Sequence, residues 1–253
     1  MPGPQLDRDE TTWTGSFAGL GTVAVALDGE VTAHPDGQDE DGSRAQALRH
    51  GWGGLLSWAG RGFALANAAS LAIGERGLLV TGEPDDVAAT LLGLARHGFV
   101  VLSDRPSPTR WVGGSLVAYP RDAPILVPRR RAEQAGLTGT PVREGSTSVA
   151  VDLPRGVEPV PCASIAHVVR QRPDEEALDR LAGTRRFERA ATLMLRGALA
   201  PAGPTEPDPR EVFDEHLRLA ALPSVVIRME GRDDPLVADR LLDWWRSTVD
   251  AAT

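Results

Sequence analysis

The segment from Gly77 to Asp104 constrains this chain more than any other. Gly77-Leu78-Leu79-Val80-Thr81 is a short apolar run that stops at Gly82, which suits a buried strand of a parallel sheet. Beyond it Val87, Leu91, Leu92, Leu94 and Ala95 recur at helical spacing, and Gly98 ends that pattern as a C-terminal cap does. Phe99-Val100-Val101-Leu102 is a second short apolar run, closing on Ser103-Asp104. Strand, loop, helix and strand in about thirty residues make a βαβ unit. The fold class expected is therefore α/β, with a mixed sheet flanked by helices.

The flanking sequence fills in the rest. Residues 1–12 read as a flexible tail, and 13–253 as a single domain. From Trp13 to Val31 short apolar alternations, including Thr22-Val23-Ala24-Val25-Ala26-Leu27, are broken by glycines and read as an N-terminal β layer of hairpins. His34 to Ser43 is an acidic loop. Gly51 to Ala72 fits either a short strand or a buried helix, between which periodicity does not arbitrate. Further strands are expected at Leu116–Tyr119, Ile125–Val127 and Ser148–Leu153, and Cys162–Val169 is another apolar run. Asp174-Glu175-Glu176 supplies acidic first-turn residues to a helix carrying Leu178, Leu181, Phe187, Ala191, Leu193 and Leu195 towards Leu199, broken near Gly183. The four prolines of 201–209 mark a linker-like loop. A helix over Arg210–Ala221, a strand over Val225–Met229 and a last helix bearing Trp244-Trp245 complete the chain, with Pro235 at a position the first helical turn tolerates.

Composition narrows the chemistry. All 27 basic residues of this 253-residue chain are arginine, so no lysine exists to form a Schiff base, act as a general base or anchor a phosphate. Against 35 acidic residues they leave a net charge of −8, which gives no cationic excess to displace counterions from nucleic acid. The single cysteine, Cys162, has no internal disulfide partner. No stretch approaches the ~20 apolar residues of a membrane span, and residues 1–10 lack a secretory pattern. The expected setting is cytoplasmic, with no membrane and no nucleic-acid partner.

A strand ending in glycine, a loop, a helix and a second strand ending in aspartate is also the frame of a phosphate-binding loop, whose working form is G-x-x-x-x-G-K-[ST]. In that form backbone amides and the helix N-terminus wrap the anion, lysine reaches the outer phosphates and a hydroxyl holds magnesium. From Gly82 this chain reads Gly-Glu-Pro-Asp-Asp-Val-Ala-Ala-Thr. Val87 takes the second glycine's place, Ala88 the lysine's and Ala89 the magnesium hydroxyl's, with Thr90 one place later. Glu83, Asp85 and Asp86 stand in between. Like charges at ~4 Å repel by roughly 4 kcal/mol at an effective dielectric of 20, more than a hundredfold in affinity. Carboxylates there serve instead as partners of the helix dipole. A branched Val87 also resists the positive φ that glycine allows.

On these residues the chain resembles the HPr kinase/phosphorylase family, which shares a fold element with phosphoenolpyruvate carboxykinases. The likeness rests on Leu78-Leu79-Val80-Thr81-Gly82, on Leu91 to Arg105, on Ala66-Asn67-Ala68-Ala69-Ser70-Leu71-Ala72-Ile73 and on Leu116 to Arg121, and covers roughly residues 64–128. A histidine often stands at the place of Asn67 in that family. The resemblance implies a P-loop kinase-like sheet, a phosphotransfer role and adjacent acidic residues after the second strand. Only the first of these, Asp104, is present, and Arg105 occupies the second place. Arg105 could pair with Asp104 or with the acidic loop and close the site.

Three readings follow. One is a degenerate, non-catalytic binding or accessory subunit that uses neither ATP nor any other cofactor and engages a protein or peptide partner. The second is an active ATP- and magnesium-dependent serine kinase of a peptide or small metabolite, with Asp104 as its catalytic residue. The third uses Glu83, Asp85 and Asp86 as a receptor for a basic peptide or cation. Arg129-Arg130-Arg131, with Arg121 and Arg105, could grip a carboxylate or an acidic peptide, or form a solvated turn. The five histidines show no metal-ligand spacing, and Ser70 and Ser103 have no evident histidine partner. A homo-oligomer is compatible with the resemblance.

Overall fold

Alternation of buried and partly exposed positions builds the first layer. Thr12–Phe17 (β2) and Gly21–Ala26 (β3) set Trp13, Phe17, Val23 and Val25 on one buried face. Gln5–Arg8 (β1) and Val31–Pro35 (β4) flank them in an antiparallel sheet of order β1-β2-β3-β4. The computed structural model describes the whole chain apart from residues 1–4, 10, 18–19, 27, 40–41, 142–145, 172–175, 193–208, 232–233 and 250–253. The expectation of a tail through residue 12 is corrected accordingly, because Gln5–Arg8 pairs with Trp13–Ser16. Asp9 makes that return possible: its Oδ1 accepts the N–H groups of Thr11 and Thr12, both at 2.7 Å, in an Asx turn.

The ambiguous stretch 51–72 resolves into both elements, helix first and strands after. Ser43–Leu48 (α1) continues through a π-helical turn at Arg49–Gly53 into Gly54–Gly60 (α2). Leu48 and Leu56 bury against the β2–β3 face. Gly53 is needed for this seating, since a Cβ there would lie 2.4 Å from a methyl of Val31.

The larger sheet grows from the apolar run of the sequence. Arg76–Gly82 (β7) pairs antiparallel with Ala69–Ile73 (β6) on one side and parallel with Val160–Arg170 (β14) on the other. Pro84–Arg96 (α3) follows, and Val100–Ser103 (β8) returns to pair with the far edge of β6. The unit thus differs from the simple βαβ expected: β6 lies between its two parallel strands. The tight turn at Gly74, φ +57°, delivers β6 to the edge of β7 before β8 can claim it. Ala64–Ala66 (β5), Ser107–Val112 (β9) and Ser115–Ala118 (β10) extend the sheet in the order β5-β9-β10-β14-β7-β6-β8, and Ser224–Met229 (β16) with Leu178–Arg180 (β15) adds to β14. Ile125–Pro128 (β11), Thr140–Pro141 (β12) and Ser148–Val151 (β13) form a small separate sheet, with Arg129–Gln134 (α4) leaving the end of β11.

Gly183–Ala191 (α5), Pro209–Ala221 (α6) and Val237–Thr248 (α7) complete the described elements. α3 and α7 share the main core, where Phe99 meets Trp245 edge-on at 5.6 Å between centroids. Gly93 permits their approach, because its Cβ would fall 2.5 Å from that of Ala238. Trp244 and Trp245 are both buried. The helix expected from Asp174 onward is corrected at Leu178–Arg180, which pairs antiparallel with β16: the free edge of that strand outweighs local helical propensity. Asp174, Glu175 and most of the linker-like 201–209 lie outside the described residues, while Pro209 opens α6. The architecture is mixed α/β, a curled mixed sheet flanked by helices with additional antiparallel sheets. No helix among the described residues is long and apolar enough to cross a membrane.

Candidate functional site

The candidate residues fall at two neighbouring places. The first is the start of α3. Gly82 ends β7 with φ +153°, and a Cβ there would lie 2.2 Å from the carbonyl oxygen of Val168. Its glycine is therefore explained by the close approach of β14. Glu83 is the extended N-cap residue and its carbonyl accepts the N–H of Val87 at 2.9 Å; Pro84 follows at the first helical position. Val87 and Ala88 are buried in the core, Ala89 is half-buried, and the buried Thr90 hydroxyl donates back to the Asp86 carbonyl at 2.9 Å.

Each carboxylate of this turn has an arginine beside it. Asp85 accepts Arg131 Nη2 at 2.7 Å and Arg130 Nη2 at 2.9 Å. Burial pushes its carboxyl up, but the Arg131 hydrogen bond and the two guanidinium charges outweigh it, leaving Asp85 below the ordinary carboxylate range. Asp86 is wholly buried, with Oδ2 3.4 Å from Arg170 Nε, while Oδ1 has no hydrogen-bond partner among the described residues. Glu83 is exposed and faces Arg105 electrostatically.

Arg105 caps the strand end itself. Its Nη1 donates to the Gly82 carbonyl and its Nε to Asn67 Oδ1, both at 2.7 Å. Desolvation lowers its pKa from the ordinary value and Glu83 opposes that shift. Asn67 is tied in from the other side, where its carbonyl accepts the Thr81 hydroxyl at 2.8 Å.

The second place is a cleft of about 310 Å³ where the π-helical turn and α2 meet the chain beyond β8 and the small sheet. Leu55, Ala123, Pro124 and Pro141 supply apolar wall, with Asp104, Arg105 and Arg121 among the polar groups lining it. Asp104 accepts two backbone N–H groups, that of Arg105 on Oδ1 at 2.8 Å and that of Leu126 on Oδ2 at 2.9 Å. Arg121 is nearly buried: Nη2 donates to the His50 carbonyl at 2.8 Å, and Nη1 lies 3.4 Å from the Pro106 carbonyl and 3.7 Å from Asp104 Oδ1. Burial lowers its pKa, with Asp104 pulling the other way.

Arg129 joins neither place; its Nη2 donates to the Ser146 carbonyl at 3.2 Å. The arginine triplet is a short helix, α4, and the carboxylate it grips through Arg130 and Arg131 is this chain's own Asp85. Ser70 is buried against the Ser107 hydroxyl at 2.9 Å. His97 Nε2 meets Asp239 Oδ1 at 2.8 Å, joining α3 to α7. No group of three or more His, Cys, Asp or Glu among the described residues is arranged to hold a metal ion. Arg170, the His50 carbonyl and the Leu126 amide carry no local signal in the sequence, and only the arginine run pointed to Arg131.

No family model matches the chain, and no curated protein does. Among solved structures, the chain is similar to the Hpr(Ser) kinase/phosphatase from Coxiella burnetii, at 13% sequence identity and a TM-score of 0.37, covering 73% of this chain and 97% of that one.

Proposed function

We propose that this chain is a non-catalytic binding or accessory protein whose helix start after Gly82 does not take the phosphates of a nucleotide. The observation that carries the reading is the Arg105 guanidinium on the Gly82 carbonyl, held from its other edge by Asn67. A phosphate loop needs backbone N–H groups turned to an open space; here the space over the strand end is filled by a side chain of the protein. The residues present do not fit magnesium ATP for a second reason. Glu83, Asp85 and Asp86 compete with a phosphate for the arginines beside the turn, and Val87 and Ala88 are packed into the core.

The contacts weigh less well for the two other readings. A phosphotransferase would need Asp104 turned to a substrate hydroxyl; here its carboxylate ties the chain after β8 to the backbone amides of Arg105 and Leu126. A receptor for a basic peptide would need free carboxylates, yet Asp85 is engaged by two arginines of α4. An accessory role implies a protein or peptide partner.

Isothermal titration with magnesium ATP tests this. We expect no saturable heat up to millimolar nucleotide; saturation at micromolar concentration overturns the reading.

A further inference from the structure

The cleft beside Arg121 has two properties that together select a ligand. Much of its wall is apolar, built from Leu55, Ala123, Pro124 and Pro141, and its volume of about 310 Å³ is in the range of small-molecule sites. Its charged lining is two guanidiniums, Arg105 and Arg121, against one carboxylate, Asp104. That carboxylate is largely committed to backbone amides, and its separation from Arg121 is 3.7 Å, beyond a direct hydrogen bond. Arg105 spends Nε and Nη1 on Asn67 and Gly82, and its Nη2 has no hydrogen-bond partner among the described residues. Arg121 is nearly buried with its carboxylate neighbour at ion-pair distance only, so a ligand anion can add the direct charge-assisted hydrogen bond that Asp104 does not make. The planar donor fork of arginine matches a carboxylate.

We infer that this cleft binds a small free carboxylic acid with an apolar body, its carboxylate against Arg121 and Arg105 and its body along Leu55 and Pro124. The inference deepens the proposed function and rests on the reading of the chain as a binding protein. An amine is disfavoured because two guanidiniums outnumber the one carboxylate in the lining. A phosphate dianion is disfavoured because stripping its water against this apolar wall returns too few donors.

The experiment compares three isosteres on the native full chain: 3-phenylpropanoate, 3-phenylpropanol and 3-phenylpropylamine, each titrated calorimetrically. The expected order is acid over alcohol by tenfold or more, with no saturation by the amine. In Arg121→Gln the acid should weaken at least tenfold and approach the alcohol. Because that change also releases the His50 and Pro106 carbonyls, a second variant, Ala123→Phe, fills the half-buried wall instead and should remove binding of acid and alcohol alike. Alcohol binding as tight as acid, tighter amine, or no saturation by any of the three at millimolar concentration overturns the inference. The two titrations fail separately: micromolar ATP binding removes the proposed function whatever the acid does, while silence to both ATP and acid removes only the ligand class.

Discussion

The start of α3 and the cleft at Asp104 lie on either side of one arginine, and they use their charges in opposite ways. At the helix start Asp85 is paired directly to two guanidiniums, and Arg105 lies on the Gly82 carbonyl. In the cleft Arg121 is nearly buried and held mainly by carbonyls, with its nearest carboxylate 3.7 Å away. Asp85 in the first region is hydrogen-bonded directly to its counter-charges, although the neighbouring Asp86 Oδ1 has no hydrogen-bond partner among the described residues. In the second, the carboxylate beside Arg121 stands at ion-pair distance but beyond a hydrogen bond, next to an apolar wall. Charge alone therefore does not locate a site. What separates the two is whether neighbours within hydrogen-bond reach already complete the charged groups.

Gly82 is the sharpest way to break this contrast. If the helix start is a closed structural joint, any Cβ at Gly82 must displace β14, since it would sit 2.2 Å from the Val168 carbonyl oxygen. Gly82→Ala should lower unfolding free energy by about 3–4 kcal/mol, read from the urea midpoint. A loss under about 1 kcal/mol would mean that the joint is loose enough to open for a ligand, and the contrast would collapse.

Asp85→Asn probes the same region more gently. It removes the charge that Arg130 and the nearly buried Arg131 grip directly, and should cost about 2 kcal/mol. The pH dependence has a definite sign. Because the folded pKa of Asp85 lies below its ordinary value, the stabilisation is complete above about pH 4 and is lost as pH falls through the folded value. Denaturation curves of the two proteins should therefore converge in acid. A gap that persists or widens below pH 4 would assign the loss to packing instead of charge.

Much of the frame of the first region is legible in the sequence, because its signals are local. The apolar run before Gly82, the helical spacing of Val87 to Ala95 and the glycine at 98, with φ +88°, each specify an element without reference to the rest of the chain. The interposition of β6, the strand at Leu178–Arg180 and the helix at Arg129–Gln134 depend on distant partners, and local patterns there point elsewhere. The site divides in the same way. Asp104 is marked by its place after an apolar strand, and the arginine triplet by its composition. That Asp85 is the carboxylate gripped, that Arg105 covers Gly82, and that Arg121 reaches the carbonyl of His50 are contacts between segments some 20 to 70 residues apart, for which no periodicity exists.

Asp104→Asn produces the smallest effect and distinguishes the regions most directly, because stability and binding should move in opposite directions. An amide keeps one acceptor oxygen and turns an NH₂ group towards one of two backbone donors, so one hydrogen bond is lost and stability falls by about 1 kcal/mol. The same change removes the negative charge that partly offsets Arg121. At a separation of ~6 Å and an effective dielectric between protein and water, that charge weakens an anionic ligand by about 1 kcal/mol, so 3-phenylpropanoate should bind roughly fivefold tighter to the variant. The neutral alcohol should be unaffected, which makes its titration the internal control. Tighter binding of acid alone, in a less stable protein, is the signature of a cleft whose carboxylate tempers the positive charge without cancelling it. Equal weakening of acid and alcohol would instead make Asp104 a structural tie like Asp85, and the cleft no different in kind from the closed helix start.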